Sequence, residues 1–245
     1  MRGLAMACAV CVCWACSSSS AGPGAATPDA AQGTEGSAGG QGGSGGALPD
    51  AGNDVAQEAA SPGASLGSFQ LTYYWVTTED EFSGAKDTSL YDASCNELAK
   101  VTAQFAASLK LEGTGRLSDG RILNYDGSCS CPTSPCYLVA DAQHPWGYGV
   151  QGRALTPFRS IAVDTSVIAI GTPLYVAELD GVTMPGDAPW GSFVHDGCVV
   201  ADDVGGGING KHIDFFSALK QYYTTLDGQL GLTSVTVHEG GDRCP

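Results

Sequence analysis

Three aspartates carry the chemistry legible in this chain. Asp164 closes the apolar phrase Ile161-Ala162-Val163, and Asp203 and Asp214 bracket a glycine-rich loop in ADDVGGGINGKHID, residues 201–214. Carboxyl groups at strand ends and loops of one compact segment suit proton transfer to and from an ether oxygen, the requirement for acid-catalysed cleavage of a glycosidic bond. Each aspartate also has a plainer role. Asp214 precedes Phe215, Leu219, Tyr222 and Leu226, whose spacing predicts a helix that an aspartate would N-cap. Asp203 suits a turn before Gly205, and Asp164 followed by Thr165-Ser166 suits an Asx turn.

The elements that must position these residues are mostly short strands. Phe69-Gln-Leu-Thr-Tyr-Tyr-Trp-Val-Thr opens the folded part as a strand, and five more are expected at Ile161–Val163, Thr172–Ala177, Ser192–His195, Cys198–Ala201 and Ser234–Glu239. Leu98, Val101, Phe105 and Leu109 predict a helix over residues 95–111. The Gly, Pro, Ser and Cys density of residues 111–148 predicts turns and short strands held by bridges, with no second domain. Many short strands with glycine-rich turns favour a closed barrel over a flat sheet with exposed edges.

The surroundings of the three aspartates resemble the 3D (Asp-Asp-Asp) domain family. Its signature runs roughly AVDP, IPLGT and AxDTGGAIKGxxID; this chain reads Ala162-Val-Asp-Thr, Ile168-Ala-Ile-Gly-Thr and Ala201-Asp-Asp-Val-Gly-Gly-Gly-Ile-Asn-Gly-Lys-His-Ile-Asp. Order and spacing agree across about residues 153–240. The departures, Val204 for Thr, Gly207 for Ala and Asn209 for Lys, touch the loop and leave the carboxylates in place.

The resemblance implies a mainly β fold, a six-stranded double-psi β-barrel with one or two helices and disulfides, like the barrel of membrane-bound lytic transglycosylase A. It implies a peptidoglycan lytic transglycosylase that cleaves the MurNAc-GlcNAc β-1,4 bond with one aspartate and leaves a 1,6-anhydro sugar. Asp214 matches the acid/base aspartate of that group, with Asp203 and Asp164 shaping its field and holding the loop. Tyr73 is the expected sugar-stacking residue, and Gly205 and Gly206 the expected close approach of backbone to glycan. A rival is a non-catalytic glycan-binding or wall-loosening module of the barwin or expansin kind. An aspartic-protease turn at Asp203 is a poor fit, because Val204 replaces Thr and the motif has no second copy.

The remainder bounds partners and location. Eleven basic residues against 26 acidic ones give a net charge of −15, which excludes a surface built to neutralise nucleic-acid phosphates. Residues 1–16 read as a lipoprotein-type signal peptide, with Cys13-Trp-Ala-Cys16 as a degenerate box and Cys16 the lipid-bearing residue; ordinary cleavage near Ala21 or Ala25 is the alternative. Residues 17–67, rich in Gly, Ala, Ser and Pro, read as a disordered linker, and residues 68–245 as the folded domain. The expected location is the cell envelope, membrane-anchored through that lipid. Cysteines at 95, 129, 131, 136, 198 and 244 favour three disulfides in an exported protein, zinc at 129, 131 and 136 being the alternative. No cofactor and no metal is expected. The four dispersed histidines do not suggest a site.

Overall fold

The computed structural model describes residues 60–245, so the expected signal segment, Cys16 and nearly all of the linker lie outside the described residues. In chain order the elements are β1 (Ser65–Tyr74), β2 (Thr77–Thr78), β3 (Thr88–Tyr91), β4 (Glu97–Val101), α1 (Ala103–Glu112), β5 (Thr114–Arg116), β6 (Ile122–Tyr125) and β7 (Tyr137–Val139). There follow β8 (Ser160–Val163), β9 (Pro173–Val176), β10 (Cys198–Asp203), β11 (His212–Phe216), α2 (Lys220–Leu230) and β12 (Ser234–Glu239). The protein is mainly β, with two helices and three disulfides.

Six strands pair in a closed ring, in the order β1-β11-β8-β10-β9-β12, which leaves no free edge among them. Two of the six pairings are parallel, β1 with β11 and β8 with β10. The period-two alternation of the strands separates two faces. Phe69, Leu71, Ile161, Val163, Leu174, Val176, Val199, Ala201, Ile213, Phe215, Val235 and Val237 fill one core. On the other face a second cluster gathers Tyr74, Val76, Trp146, Ala162, Ile208, Phe216 and Ala218.

Between β1 and β8 the chain builds a satellite: a sheet in the order β2-β5-β6-β7, the β3-β4 hairpin and α1. Phe105 and Leu109 of α1 pack there with Leu90, Leu117, Leu123 and Tyr137. Cys95–Cys131 and Cys129–Cys136 staple this cysteine-rich segment, and Cys198–Cys244 ties the C-terminus to β10. The sulfurs of 129, 131 and 136 are thereby committed to bridges, which removes the thiolate ligand set a zinc site requires.

Three sequence expectations are corrected. The helix expected over residues 95–111 begins only at Ala103: Glu97–Val101 pairs with β3, and the Thr102 side chain accepts from Phe105 N at 3.1 Å as the N-cap. Spacing alone cannot separate Leu98 and Val101 on a strand from Phe105 and Leu109 on a helix; cross-strand pairing decides. The helix expected after Asp214 starts at Lys220, because β11 is held between β1 and β8 and takes Asp214, Phe215 and Phe216 into its ladders. Ala218, at φ 65°, breaks the chain between strand and helix. Ser192–His195 is not a strand; its one ladder contact is the isolated bridge of Val194 with Thr183. No helix among the described residues is long and apolar enough to cross a membrane.

Candidate active site

Asp214 sits in mid-strand, so the N-cap role is replaced by a position in the ladder. Its register partners are Thr72 on β1 and Ala162 on β8. Strand β10 approaches β8 from the other side, and there a β-bulge intervenes: Ala201 opposes Ile161, but Asp203 opposes Ala162. Two residues, Asp202 and Asp203, thus face one. Strict alternation from Val199 and Ala201 would send Asp203 into the core; the extra residue re-aims it to the face that carries Asp214. The outcome is a single row, Thr72, Asp214, Ala162, Asp203, in which two carboxyls flank a residue whose side chain is one methyl group.

The two carboxyls have different partners. Thr72 Oγ1 donates to Asp214 Oδ1 at 2.7 Å, and the same hydroxyl lies 2.8 Å from His212 Nε2, so a ring N–H of His212 can donate to it in turn. Burial raises the Asp214 pKa above the usual carboxylate range, partly offset by the Thr72 bond and the His212 ring. Asp203 is pushed up to about 6, mainly by burial and further by the charges of Asp214 and Asp202, against the Val204 N–H it accepts at 2.9 Å. Burial is thus the first cause of the upward shift at both carboxyls. Asp202 is spent on structure: buried, it accepts from Arg153 Nε at 2.5 Å and from Ser160 Oγ at 2.6 Å.

Asp164 stands apart from the pair, two residues beyond Ala162 and just past the end of β8. Its carboxylate closes an Asx turn, accepting from Ser166 N at 2.9 Å and Ser166 Oγ at 2.7 Å, and it pins the glycine loop through Gly210 N at 2.7 Å. These bonds, with Gly210 the largest, hold its pKa below the usual value, so it remains a carboxylate.

Of the loop glycines, only Gly210 has positive φ, at 64°. Gly205 is required for space, since a Cβ there would meet Ile208 Cγ1 at 2.6 Å, whereas a Cβ on Gly206 meets nothing within 4 Å. Gly206 is exposed beside the row. Tyr73 lies on the opposite face of β1 from Thr72 and Tyr74, its ring 6.1 Å from that of Phe215 and 5.4 Å from that of Tyr223.

Sequence reasoning passed over Glu112, the last residue of α1. It accepts from Trp75 N at 3.2 Å, and burial pushes it up to about 7, with the Asp214 charge adding to the shift. No motif marks it, because it reaches the site only through the packing of the satellite against β1. Thr72 was likewise invisible as a partner: it is separated by 142 residues from the carboxyl it serves.

A closed β ring bearing two carboxyls on one row defines the class, a mainly β protein with two helices and disulfides. More particularly, residues 159–236, which contain β8 to β11 and all three aspartates, match the model of the 3D domain. Solved structures similar to this chain include E. coli MltA with bound chitohexaose, at 14% identity and TM-score 0.49 over 71% of each chain. LtgG, a lytic transglycosylase of Burkholderia pseudomallei, aligns at 20% identity and TM-score 0.39 over 70% of each chain. A membrane-bound lytic murein transglycosylase from Agrobacterium tumefaciens aligns at 12% and 0.46, over 70% of this chain and 73% of that one. Among curated proteins, none matches this sequence.

Proposed function

We propose that this protein is a peptidoglycan lytic transglycosylase in which Asp214 is the acid/base. The observation that carries the reading is the row itself: within the span that matches the 3D domain, Asp214 and Asp203 flank Ala162, and burial raises both carboxyls above their ordinary values. Protonated Asp214 donates to O4, the oxygen linking MurNAc C1 to GlcNAc C4, and the C1–O4 bond breaks with its electron pair leaving on that oxygen. The MurNAc O6 then bonds to C1 while its proton passes to the Asp214 carboxylate, which regenerates the acid and leaves a 1,6-anhydro end. The substrate supplies the attacking oxygen, so no second nucleophile and no water are consumed. Asp203 supplies negative charge beside the developing positive sugar, Asp164 braces the loop, and Gly205 and Gly206 give the glycan access to backbone.

The closed ring with its two parallel pairings fits a double-psi barrel. Export, a signal segment at 1–16, a tether over 17–67 and a lipid on Cys16 that anchors the domain at the cell envelope complete the proposal. Labelled-lipid incorporation that persists in Cys16→Ala would remove the anchor.

Losing a positioned acid/base costs about 10² to 10⁴ in rate. Asp214→Asn should therefore release almost no soluble fragments from sacculi, while wild type yields anhydro-muramic ends by mass spectrometry. Reducing ends would instead mean hydrolysis by water. Binding to sacculi without release, unchanged in Asp214→Asn, would favour a wall-binding module.

A further inference from the structure

His212 precedes Asp214 by two residues on β11 and so shares its face of the strand, and it pairs with Gln70 of β1 as Asp214 pairs with Thr72. Its Nε2 lies 2.8 Å from Thr72 Oγ1, which lies 2.7 Å from Asp214 Oδ1, so the three side chains form one hydrogen-bonded chain. A hydroxyl has a single proton to give, and the chain therefore runs in one sense at a time. When Asp214 is ionised, its carboxylate only accepts. Thr72 must then donate to it, and His212 must carry its proton on Nε2, because a bare Nε2 would set its lone pair against those of the hydroxyl oxygen. When Asp214 is protonated, two arrangements exist. With the N–H at Nε2, Thr72 still donates to Oδ1, and the acid proton sits on Oδ2. With the ring proton on Nδ1 alone, Thr72 donates to Nε2 and draws the acid proton to itself at Oδ1, where it is spent inside the protein. Only the first arrangement keeps one sense before and after a proton leaves Asp214.

We propose that His212 is a positioning residue that, as the Nε2–H donor to Thr72, fixes the sense of this chain, so that Oδ1 of Asp214 always accepts and Oδ2 is the oxygen that gives up and recovers the proton. Two further observations agree. Among the described residues Asp214 Oδ2 has no hydrogen-bond partner, and it is not sealed from solvent, so it is free to meet a substrate. The backbone also holds the imidazole in place: His212 N donates to Gly210 O at 2.9 Å, and Gly210 N is in turn secured by the Asp164 carboxylate at 2.7 Å. The loop that Asp164 braces thus ends on the residue that directs Asp214. The inference rests on the reading of Asp214 as the acid, but one arm of its test needs no turnover.

The first arm is ¹⁵N NMR of the full chain with labelled histidine, the His212 signals assigned by their loss in His212→Gln. As pH rises through the titration of the ring, Nδ1 should lose its proton and Nε2 should keep its own. The second arm is a double-mutant cycle on sacculi. His212→Ala should lower the maximal rate of fragment release about fivefold with half-saturation unchanged, the effect of one ordinary hydrogen bond. His212→Gln, whose amide reaches the same hydroxyl as a donor, should recover most of that loss. In a Thr72→Val background, which removes the hydroxyl and keeps the β-branched shape, His212→Ala should change nothing further. A neutral ring bare at Nε2 overturns the proposal, and so do losses from His212→Ala and Thr72→Val that simply add. A ring protonated at Nε2 in a wild type that releases no glycan upholds the chain and removes the transglycosylase reading alone.

Discussion

At the scale of single residues, the buried carboxyls Asp203 and Glu112 make a testable prediction. Asp203 has a folded-state pKa of about 6 against an ordinary 3.8, and Glu112 about 7 against 4.5. A carboxyl raised in the folded state contributes stability that is complete below its unfolded value and lost as pH rises through its folded value. The protein should therefore lose stability between about pH 4 and pH 7 on account of these two groups, on the order of 3 kcal/mol each. Asp203→Asn should melt above wild type at pH 8 and show no such gain at pH 4, measured by calorimetry; a lower midpoint at pH 8 would contradict the burial argument. Asp164 behaves oppositely. Its lowered pKa makes its contribution present above the ordinary carboxylate range and lost as pH falls below it, and Asp164→Asn should speed amide exchange at Gly210. All three aspartates were legible by type and spacing, yet their different environments were not, because these depend on Thr72 and Glu112 arriving from distant sequence.

At the scale of elements, β10 and the loop after it do most to set the site. The bulge places Asp203 beside Asp214, and the loop then packs Ile208 into the outer cluster under Gly205. Gly205→Ala should cost about 1–3 kcal/mol by overpacking against Ile208. Gly206→Ala, with open space and no positive φ, should leave the denaturation midpoint within about 0.5 kcal/mol of wild type. Equal effects at the two positions would mean the loop is not seated as described. The apolar phrases of β8, β9, β10 and β12 announced these strands in the sequence. Strand β11 did not announce itself, since Asp214 followed by apolar residues at helical steps satisfies a capped-helix pattern equally well; its two ladder partners settle the matter.

At the scale of the whole molecule, covalent ties offset a chain assembled from short strands. Cys198–Cys244 closes a separation of 46 residues, worth about 4 kcal/mol in the loop-entropy account. The double variant Cys198→Ser with Cys244→Ser should unfold at lower denaturant by about 2–4 kcal/mol, and chelators should leave wild type unaffected. The net charge of −15 leaves recognition of any glycan to local hydrogen bonds and stacking; salt should change binding to sacculi little.

By itself the sequence determined the β-rich class, the even set of cysteines that became bridges, and the aspartate and glycine spacing that marks the 3D domain. These are properties of local pattern and composition. Only the tertiary structure decided that Asp214 lies in a strand, that one extra residue in β10 turns Asp203 out of the core, and that Thr72 donates to Asp214 from β1. The physical reason is that the row is assembled across hydrogen-bonded ladders between segments far apart in the chain, where registers and bulges, and not periodicity, fix which side chains meet.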